Sequence, residues 1–536
     1  MTEAALSLPR RQAAMNPWVV AAAVVVPTFM EVLDTTIAVV ALRYIVGGLS
    51  ATVNDGEWVL TSYLAANAII LPITGWLSNR FGRRNYFLAS IAVFTVASAL
   101  CGMATSLSQL VLFRVIQGLA GGGLQPSSQG ILLDTFPREK QGVAMTLFAL
   151  AALIAPVVGP TLGGWITDNY SWRWVFYINL PVGLLACAAC YAVVVHDPDY
   201  LTAQRAEQRR LPSRFDSIGL SLLVITIVCW EVMLSKGEEW DWLGDAFGRI
   251  QILLTLFVVG LAALIFWEMR HKSPIVNFRP LGERNFGACC IIIFGAYAVL
   301  YGNSTLLPGL LQTLFGYNAL QAGLVMSPAG FFAVLTMPVV GFLLGRQTDA
   351  RRLMLTGLLL MAAGNYWMSQ LNLDISPGQA VWPRVLMIVG VSVCFAPLNV
   401  AAYLYTSMEL RGAAVGLLSL LRNEGGSVGT SLSQALQDHR EQIHTLRLGE
   451  YLDPFNPAVN SFTEQSQAFL LQQTGDPVLS KELAWQALEN LRQQQASALA
   501  FFDCFWVFAM VMLALVPVVL LMKRSVAEKG ARIGGE

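Results

Sequence analysis

Two acidic side chains stand in the middle of a long apolar run near the start of the chain. Glu31 and Asp34 are three residues apart, so a helix would place both on one face. An ionised side chain at the centre of a bilayer costs about 2.5–3.5 kcal/mol on insertion scales. Two neighbouring carboxylates resist ionising at the same time, which suits a group that takes up and releases a proton. We predict a proton-coupling or substrate-binding role; the alternative is that both only anchor helix packing by pairing with Arg114.

Arg114 is the basic partner that this arrangement needs. At 1.5 Å per residue, Arg114 and Asp34, about seven and eight residues from the outer ends of their apolar runs, lie at depths that agree within a turn. An ion pair between them would relieve both charges. We predict that Arg114 takes part in proton coupling, with a static structural ion pair as the alternative. Gln117, one turn further along the same run, is predicted to line a substrate cavity.

A third charged group lies late in the chain. Arg422 and Glu424 are about ten and twelve residues into their apolar run, close to the bilayer centre. An offset of two residues points them to different faces of a helix, so they need not pair with each other. Glu424 therefore either lines the cavity or pairs with another helix, and we predict the cavity. The predicted cavity residues are Glu31, Gln117, Arg422 and Glu424.

The elements that must hold these residues are membrane-spanning helices. Only 13% of the 536 residues are charged and 55% are hydrophobic, whereas a soluble protein carries about 25% charged residues. The net charge of 0 gives no reason to expect a nucleic-acid partner. Runs of about 20 apolar residues, each able to cross a bilayer as a helix, occur about fourteen times and predict an all-α integral membrane protein. They fall near 18–42, 58–78, 86–106, 107–133, 142–167, 173–195, 216–235, 250–268, 287–311, 320–344, 353–371, 381–405, 413–436 and 499–522.

Basic residues predict the orientation of these helices. With both termini in the cytoplasm, most of the 34 Lys and Arg residues fall in cytoplasmic segments, as the positive-inside rule requires. Arg114, Arg384 and Arg422 remain inside the membrane. The segment 437–497 is polar and Gln-rich, and we predict an outside loop with short helices of its own.

Two matching turns divide the chain. Gly75–Arg84 follows the second apolar run and Gly341–Arg352 follows the tenth, and each leads from a glycine-ended helix into a basic turn. If the seventh and eighth runs are an insertion, these turns occupy matching places in two six-helix halves, and the substrate site lies between the halves. We predict an N-terminal half at 1–196, a cytoplasmic linker with two accessory helices at 197–272, and a C-terminal half at 273–536.

Five signatures together resemble the major facilitator superfamily, and within it the EmrB-like fourteen-spanner drug:proton antiporters. They are Leu33–Leu42, Gly75–Arg84, Arg114–Gly118, Ala155–Gly164 and Arg422–Gly426. The resemblance covers nearly the whole chain. It implies a major facilitator fold, with two six-helix halves plus two additional helices, and proton coupling at the arginine of the fourth helix. It also implies a proton-coupled antiporter that exports drugs or other amphipathic small molecules across the inner membrane. A periplasmic adaptor (a membrane fusion protein) and an outer-membrane channel would then be its partners.

Two of these signatures are predicted to act in gating and conformational change. Proline removes a backbone hydrogen bond and glycine allows close helix approach, which suits a hinge or a seal against leak; generic small-residue packing is the alternative. This chain departs from the family at Asn79, where an aspartate is usual, at Arg43, where a proline is usual, and at Glu31 and Glu424, which are usually uncharged. The predicted gating residues are Gly75, Asn79, Arg80, Gly82, Arg83, Pro156, Gly159, Pro160, Gly163 and Gly164.

Other classes of function lack their motifs. A membrane-embedded enzyme would need a metal cluster or a nucleophile, such as a His-Glu-x-x-His helix, and an ATP-driven permease would need a Gly-x-x-x-x-Gly-Lys loop; the sequence contains neither motif. We predict no enzymatic activity, no cofactor and no metal site. The alternatives kept open are a dedicated exporter of one endogenous metabolite and a passive channel.

Overall fold

The computed structural model of the protein describes residues 16–56, 58–136, 140–194, 216–271, 274–346, 348–374, 376–407, 410–453 and 455–525. In these ranges the regular structure is helical throughout, and no strand occurs. Eleven of the described helices are long and apolar enough to cross a membrane. The other three predicted spanning runs also fold as long helices, at 141–169, 350–369 and 411–449. The prediction of an all-α membrane protein with about fourteen spanning helices is confirmed.

The helices of the described residues are numbered here in chain order. They are α1 (Pro17–Gly48), α2 (Val53–Gly56), α3 (Trp58–Phe81), α4 (Arg83–Met103), α5 (Leu107–Gly121), α6 (Leu124–Thr135), α7 (Gln141–Asn169), α8 (Trp174–Tyr177), α9 (Asn179–Val193), α10 (Ser217–Lys236), α11 (Arg249–Arg270), α12 (Arg284–Thr313), α13 (Ala319–Met326), α14 (Pro328–Gly345), α15 (Ala350–Ser369), α16 (Pro377–Leu404), α17 (Arg411–Gly449), α18 (Pro457–Thr474) and α19 (Pro477–Leu520).

The fourth spanning run is interrupted where it passes close to its neighbour. α5 ends at Gly121 and α6 begins at Leu124, so Gly122 and Gly123 form the joint. A Cβ on Gly122 would lie 2.6 Å from the backbone oxygen of Asn67 on α3, which leaves room only for glycine. The joint therefore lets α6 turn while the two helices stay in contact.

The two halves are separate bundles that meet through a few helices. In the first, α1 packs on α7 and α3 packs on α5; in the second, α12 packs on α17 and α15 packs on α16 and α19. Contacts between the halves come from α3 against α17 and from α7 against α13 and α14. The groups that face each other across this seam are candidates for a transport site.

The predicted accessory pair has one helix at the seam. α10 and α11 pack on each other, and α10 also contacts α3 and α17. Thr61 Oγ1 on α3 donates a hydrogen bond to Ser235 Oγ on α10 (2.8 Å), and Ser427 Oγ on α17 donates to Glu231 Oε2 on α10 (2.7 Å). α10 therefore contacts both halves. α11 packs on the outer side of α10, and few of its residues are buried.

The segment 437–497 differs from the prediction of a loop. α17 continues as one helix to Gly449, and α19 already begins at Pro477, where Asp476 accepts hydrogen bonds from the first backbone N–H groups. Only α18 and its short connections are additional. The apolar part of each helix ends at the membrane surface. The residues beyond it are mainly Gln, Glu, Leu, Ala and Arg, which also favour helix in water, so the spanning helices extend beyond the bilayer.

Candidate functional site

The predicted ion pair between α1 and α5 is present. Arg114 Nη1 lies 2.5 Å from Asp34 Oδ2, and both side chains are fully buried. Arg114 also donates to the backbone oxygen of Val59 (3.0 Å) and to Gln117 Oε1 (2.9 Å), and its guanidinium lies 4.1 Å from the centre of the Tyr63 ring. The contact predicted from the similar depths of Asp34 and Arg114 is therefore present, and each of the two charges has the other as its partner.

Asp34 has two further hydrogen bonds, both from amides. Gln117 Nε2 donates to Asp34 Oδ1 (2.9 Å), and Asn179 Nδ2, at the start of α9, donates to the same oxygen (2.6 Å). Asn179 also donates to Ser98 Oγ (3.0 Å). Asn179 was not identified from the sequence, although an asparagine within an apolar spanning run indicates a buried polar contact. Gln117 lies in this ion-pair cluster; its predicted place in the cavity remains a prediction.

Glu31 has a different environment from Asp34, because its partners are neutral. Its Oε1 accepts hydrogen bonds from the hydroxyl of Tyr63 (3.2 Å) and from Asn67 Nδ2 (3.1 Å), and its Oε2 accepts one from Gln125 Nε2. Only 5% of the residue is exposed. Tyr63 lies between the two carboxylates. Its hydroxyl donates to Glu31, and its ring lies against Arg114, the partner of Asp34. The two carboxylates are neighbours with separate partners.

Gln125 connects the two halves. It lies at the start of α6, and its Oε1 accepts a hydrogen bond from Arg422 Nη2 on α17, while its Nε2 donates to Glu31. The Arg422 guanidinium also lies 5.7 Å from the centre of the Tyr297 ring on α12. A glutamine that follows the double glycine of a broken spanning helix was not recognised from the sequence. The series Glu31–Gln125–Arg422, called here the amide bridge, is the polar connection between the halves at this depth.

Glu424 lies on the other side of α17 from Arg422. It is buried, and neither of its oxygens has a hydrogen-bond partner among the described residues. Its charged neighbour is Glu231 on α10, and the indole of Trp230 is also close. The side chain therefore faces α10, and the predicted place of Glu424 in the cavity remains a prediction. Glu231 was not singled out from the sequence, because its helix was treated as accessory.

The turn between α3 and α4 is basic, as the sequence predicted, and its cytoplasmic location remains a prediction. Gly82 separates the two helices with a φ of 93°, a conformation that favours glycine. Arg83 forms an ion pair with Asp134 at the end of α6, Arg80 is exposed, and Gly75 faces the backbone of Gly412 on α17. The side chain of Asn79 lies outside the described part of the structure. The turn thus contacts both α6 and the second half.

The glycines of α7 bring this helix against α1. A Cβ on Gly159 would overlap Thr36 Oγ1, and one on Gly163 would lie 3.2 Å from Ile37 Cγ2. Thr167 Oγ1 donates to the backbone oxygen of Gly164 (3.1 Å). These contacts lie just beyond Asp34 along α1, so α7 closes the first half next to the ion pair. The side chains of Pro156 and Pro160 lie outside the described residues.

Comparison with known proteins agrees with this architecture. The Major Facilitator Superfamily model matches residues 24–430. The multidrug export protein EmrB of Haemophilus influenzae is 38% identical over 497 residues, which cover 92% of this chain and 94% of that protein. The fatty acid resistance protein FarB of Neisseria gonorrhoeae is 35% identical over 495 residues and covers the same shares. The crystal structure of the human organic anion transporter MFSD10 (TETRAN) matches with a TM-score of 0.58 over 94% of this chain and 99% of its own; at 13% identity it supports the fold alone.

Proposed function

The chain belongs to the Major Facilitator Superfamily, and we propose that it is a proton-coupled antiporter that exports drugs or other amphipathic small molecules. The observation that carries the proposal is the amide bridge, because it joins a buried carboxylate of one half to an arginine of the other. The names of the relatives, multidrug export and fatty acid resistance, support this class of substrate. Transport in this scheme needs no enzymatic step and no cofactor.

The amide of Gln125 satisfies both of its partners as long as Glu31 Oε2 carries no proton. Its N–H donates to the carboxylate and its carbonyl oxygen accepts from Arg422. A proton on Glu31 Oε2 would turn that acceptor into a donor that faces the amide N–H. Rotating the amide would aim its N–H at Arg422, which has donors only. Proton binding at Glu31 therefore breaks the amide bridge and frees the halves to move.

The Asp34–Arg114 pair controls the charge next to this switch. While Asp34 is ionised, Arg114 is neutralised by it; once Asp34 takes up a proton, the positive charge of Arg114 is uncompensated and favours the ionised form of Glu31. Tyr63 contacts Glu31 through its hydroxyl and Arg114 through its ring, so the charge of Arg114 acts on Glu31 over a short distance. The two carboxylates of α1 thus carry protons alternately, which is what exchange of protons for substrate requires.

The glycine-rich elements complete the cycle as moving parts. Gly75, Arg80, Gly82 and Arg83 would form the cytoplasmic gate, since this turn contacts the second half at Gly412. Asn79 belongs to the same turn. Gly159, Gly163 and Gly164, with Pro156 and Pro160, would act as the seal that keeps α7 on α1 and prevents a leak of protons past Asp34.

We also propose an inner-membrane protein with both termini in the cytoplasm. The outer ends of α17 and α19, together with α18, would then project into the periplasm. Large apolar residues near the tips are strongly exposed: Phe455 is 89% exposed and Leu446 is 73% exposed. Exposed apolar groups of this size mark contact surfaces. A periplasmic adaptor that leads to an outer-membrane channel is the partner proposed for them.

Transport by the purified full-length protein in liposomes tests this function. An imposed pH gradient should drive accumulation of a fluorescent amphipathic cation such as ethidium, and an uncoupler should abolish it. Liposomes without protein are the control. Accumulation that is unchanged after the pH gradient has been collapsed would contradict proton coupling, and a flux that only equilibrates the dye would favour a passive channel.

A further inference from the structure

One buried cation of the second half has no counter-charge among the described residues. Arg384 lies on α16 and is 1% exposed. Its only hydrogen bond runs from Nη2 to Ser304 Oγ on α12 (3.2 Å), and Nε and Nη1 have no acceptor among the described residues. Arg114 is equally buried but has a carboxylate, an amide and a backbone oxygen around it. The two arginines therefore differ in what compensates the charge.

A buried guanidinium keeps its charge, because arginine is not deprotonated in proteins. Buried charges are normally paired or hydrogen-bonded, and removal from water without such a partner is unfavourable. The hydroxyl of Ser304 accepts one hydrogen bond and donates its own proton to the backbone oxygen of Leu300 (2.8 Å). It therefore holds the guanidinium in place without neutralising it. A site of this kind calls for an anion.

Arg384 lies at the end of a polar and aromatic track that begins at the amide bridge. Tyr297, Tyr301 and Ser304 follow one another at spacings of four and three residues, so they share one face of α12. Tyr297 lies beside the Arg422 guanidinium and packs on Phe395 of α16. Arg384 is seven residues inside the start of α16, which is about 10 Å along the helix axis. Ser304 is only partly buried, so a ligand on this track can approach the guanidinium from that side.

We propose that Arg384 binds the anionic headgroup of an amphipathic substrate, a carboxylate or a sulfonate, in the second half of the transport site. This assignment rests on the proposed export function and adds a substrate class to it. The guanidinium has unused N–H groups at Nε and Nη1, which can donate hydrogen bonds to the oxygens of such a headgroup. The apolar tail would lie along the Tyr297–Tyr301 face. Cationic and neutral compounds would not use this subsite.

The test compares two ligands that differ only in charge. Decanesulfonate and decanesulfonamide have the same chain, and only the first is ionised near neutral pH. Their binding to the purified full chain in nanodiscs of zwitterionic lipid is measured by calorimetry, with no pH gradient. The uncharged sulfonamide cannot form an ion pair with the guanidinium, so the sulfonate should bind at least about 10-fold more tightly than the sulfonamide. Equal affinities in the wild-type protein would overturn the proposal.

Variants assign the preference to Arg384. Arg384→Gln should abolish it, Arg384→Lys should keep part of it, and the exposed Arg346→Gln should leave it unchanged. Ser304→Asp should also abolish it while retaining the arginine, because an internal carboxylate would occupy the site; this variant answers the question if Arg384→Gln fails to fold. A wild-type preference in Arg384→Gln or Ser304→Asp would overturn the proposal.

Two more arms separate other anions that share this chemistry. If chloride displaces the sulfonate, or if nanodiscs of phosphatidylglycerol abolish its binding, the site belongs to a small anion or a lipid headgroup, and the substrate assignment is refuted. Proton-driven ethidium transport is measured in parallel. It should persist in the Arg346→Gln control, and its absence in the wild-type protein would refute the export function without affecting the binding result.

Discussion

Replacing Gln125 with leucine should weaken the connection between the two halves. The leucine has a similar size but can neither donate to Glu31 nor accept from Arg422. Glu31 and Gln125 both belong to the first half, so the Arg422–Gln125 hydrogen bond is the part of the amide bridge that crosses the seam. A hydrogen bond to a charged group contributes about 1.5–3 kcal/mol. Its loss should shift the equilibrium between engaged and separated halves by about 10- to 150-fold.

Distances between spin labels can report this shift. Lys140, just before α7, and Arg346, just after α14, are exposed and belong to different halves, so cysteines at these positions can carry the labels. The native Cys187 is partly exposed and should first be changed to serine, whereas the other seven cysteines are buried. Gln125→Leu should increase the population of long distances. Acidification of the wild-type protein should act in the same direction, because a proton on Glu31 breaks the same bridge.

The matched control is Gln129→Leu, one turn further along α6. Gln129 is buried, and its Oε1 has no hydrogen-bond partner among the described residues. Gln129→Leu makes the same change of side chain but leaves the amide bridge intact. The distance distribution of this variant should equal that of the wild-type protein. If Gln125→Leu also leaves the distribution unchanged, or if Gln129→Leu changes it as much, the amide bridge does not hold the halves together.

Three further changes test other parts of the site. Glu31→Gln should reduce resistance to cationic and neutral compounds alike in a resistance assay, because the proton-controlled switch at the amide bridge is lost; a selective loss of resistance to cations would point to a substrate-charge role instead. Glu424→Gln should leave the melting temperature unchanged or raise it, because it removes a buried charge whose charged neighbour, Glu231, has the same sign; the exposed Glu482→Gln is the control, and a clear fall would show that Glu424 is needed for packing. Replacing 445–490 with a short Gly/Ser linker should preserve transport in liposomes but abolish resistance in cells and adaptor pull-down, whereas undiminished resistance would refute docking.

The sequence was sufficient for features that depend on depth or on local periodicity. The spanning helices follow from runs of apolar residues, and the Asp34–Arg114 contact follows from similar depths in two antiparallel helices. Both are properties of single helices in a bilayer of known thickness. The sequence predicted short helices within 437–497 but not that they continue α17 and α19, because the end of an apolar run marks the membrane boundary and not the end of a helix.

Contacts between the halves could not be obtained in the same way. Gln125 reaches Arg422 because α6 packs against α17, which depends on how the helices of both halves pack together. Glu424 faces α10 for a similar reason: the rotation of α17 that points Arg422 at Gln125 turns Glu424 toward α10. Neither result can be read from spacing along one helix.

Proton release on substrate binding tests the central claim most directly. Purified protein in weakly buffered detergent solution receives an amphipathic substrate, and a pH indicator counts the protons released. The wild-type protein and the exposed control Asp374→Asn should release protons, whereas Asp34→Asn should bind substrate and release none. Release from Asp34→Asn equal to that of the wild-type protein would contradict the exchange of protons for substrate at the carboxylates of α1.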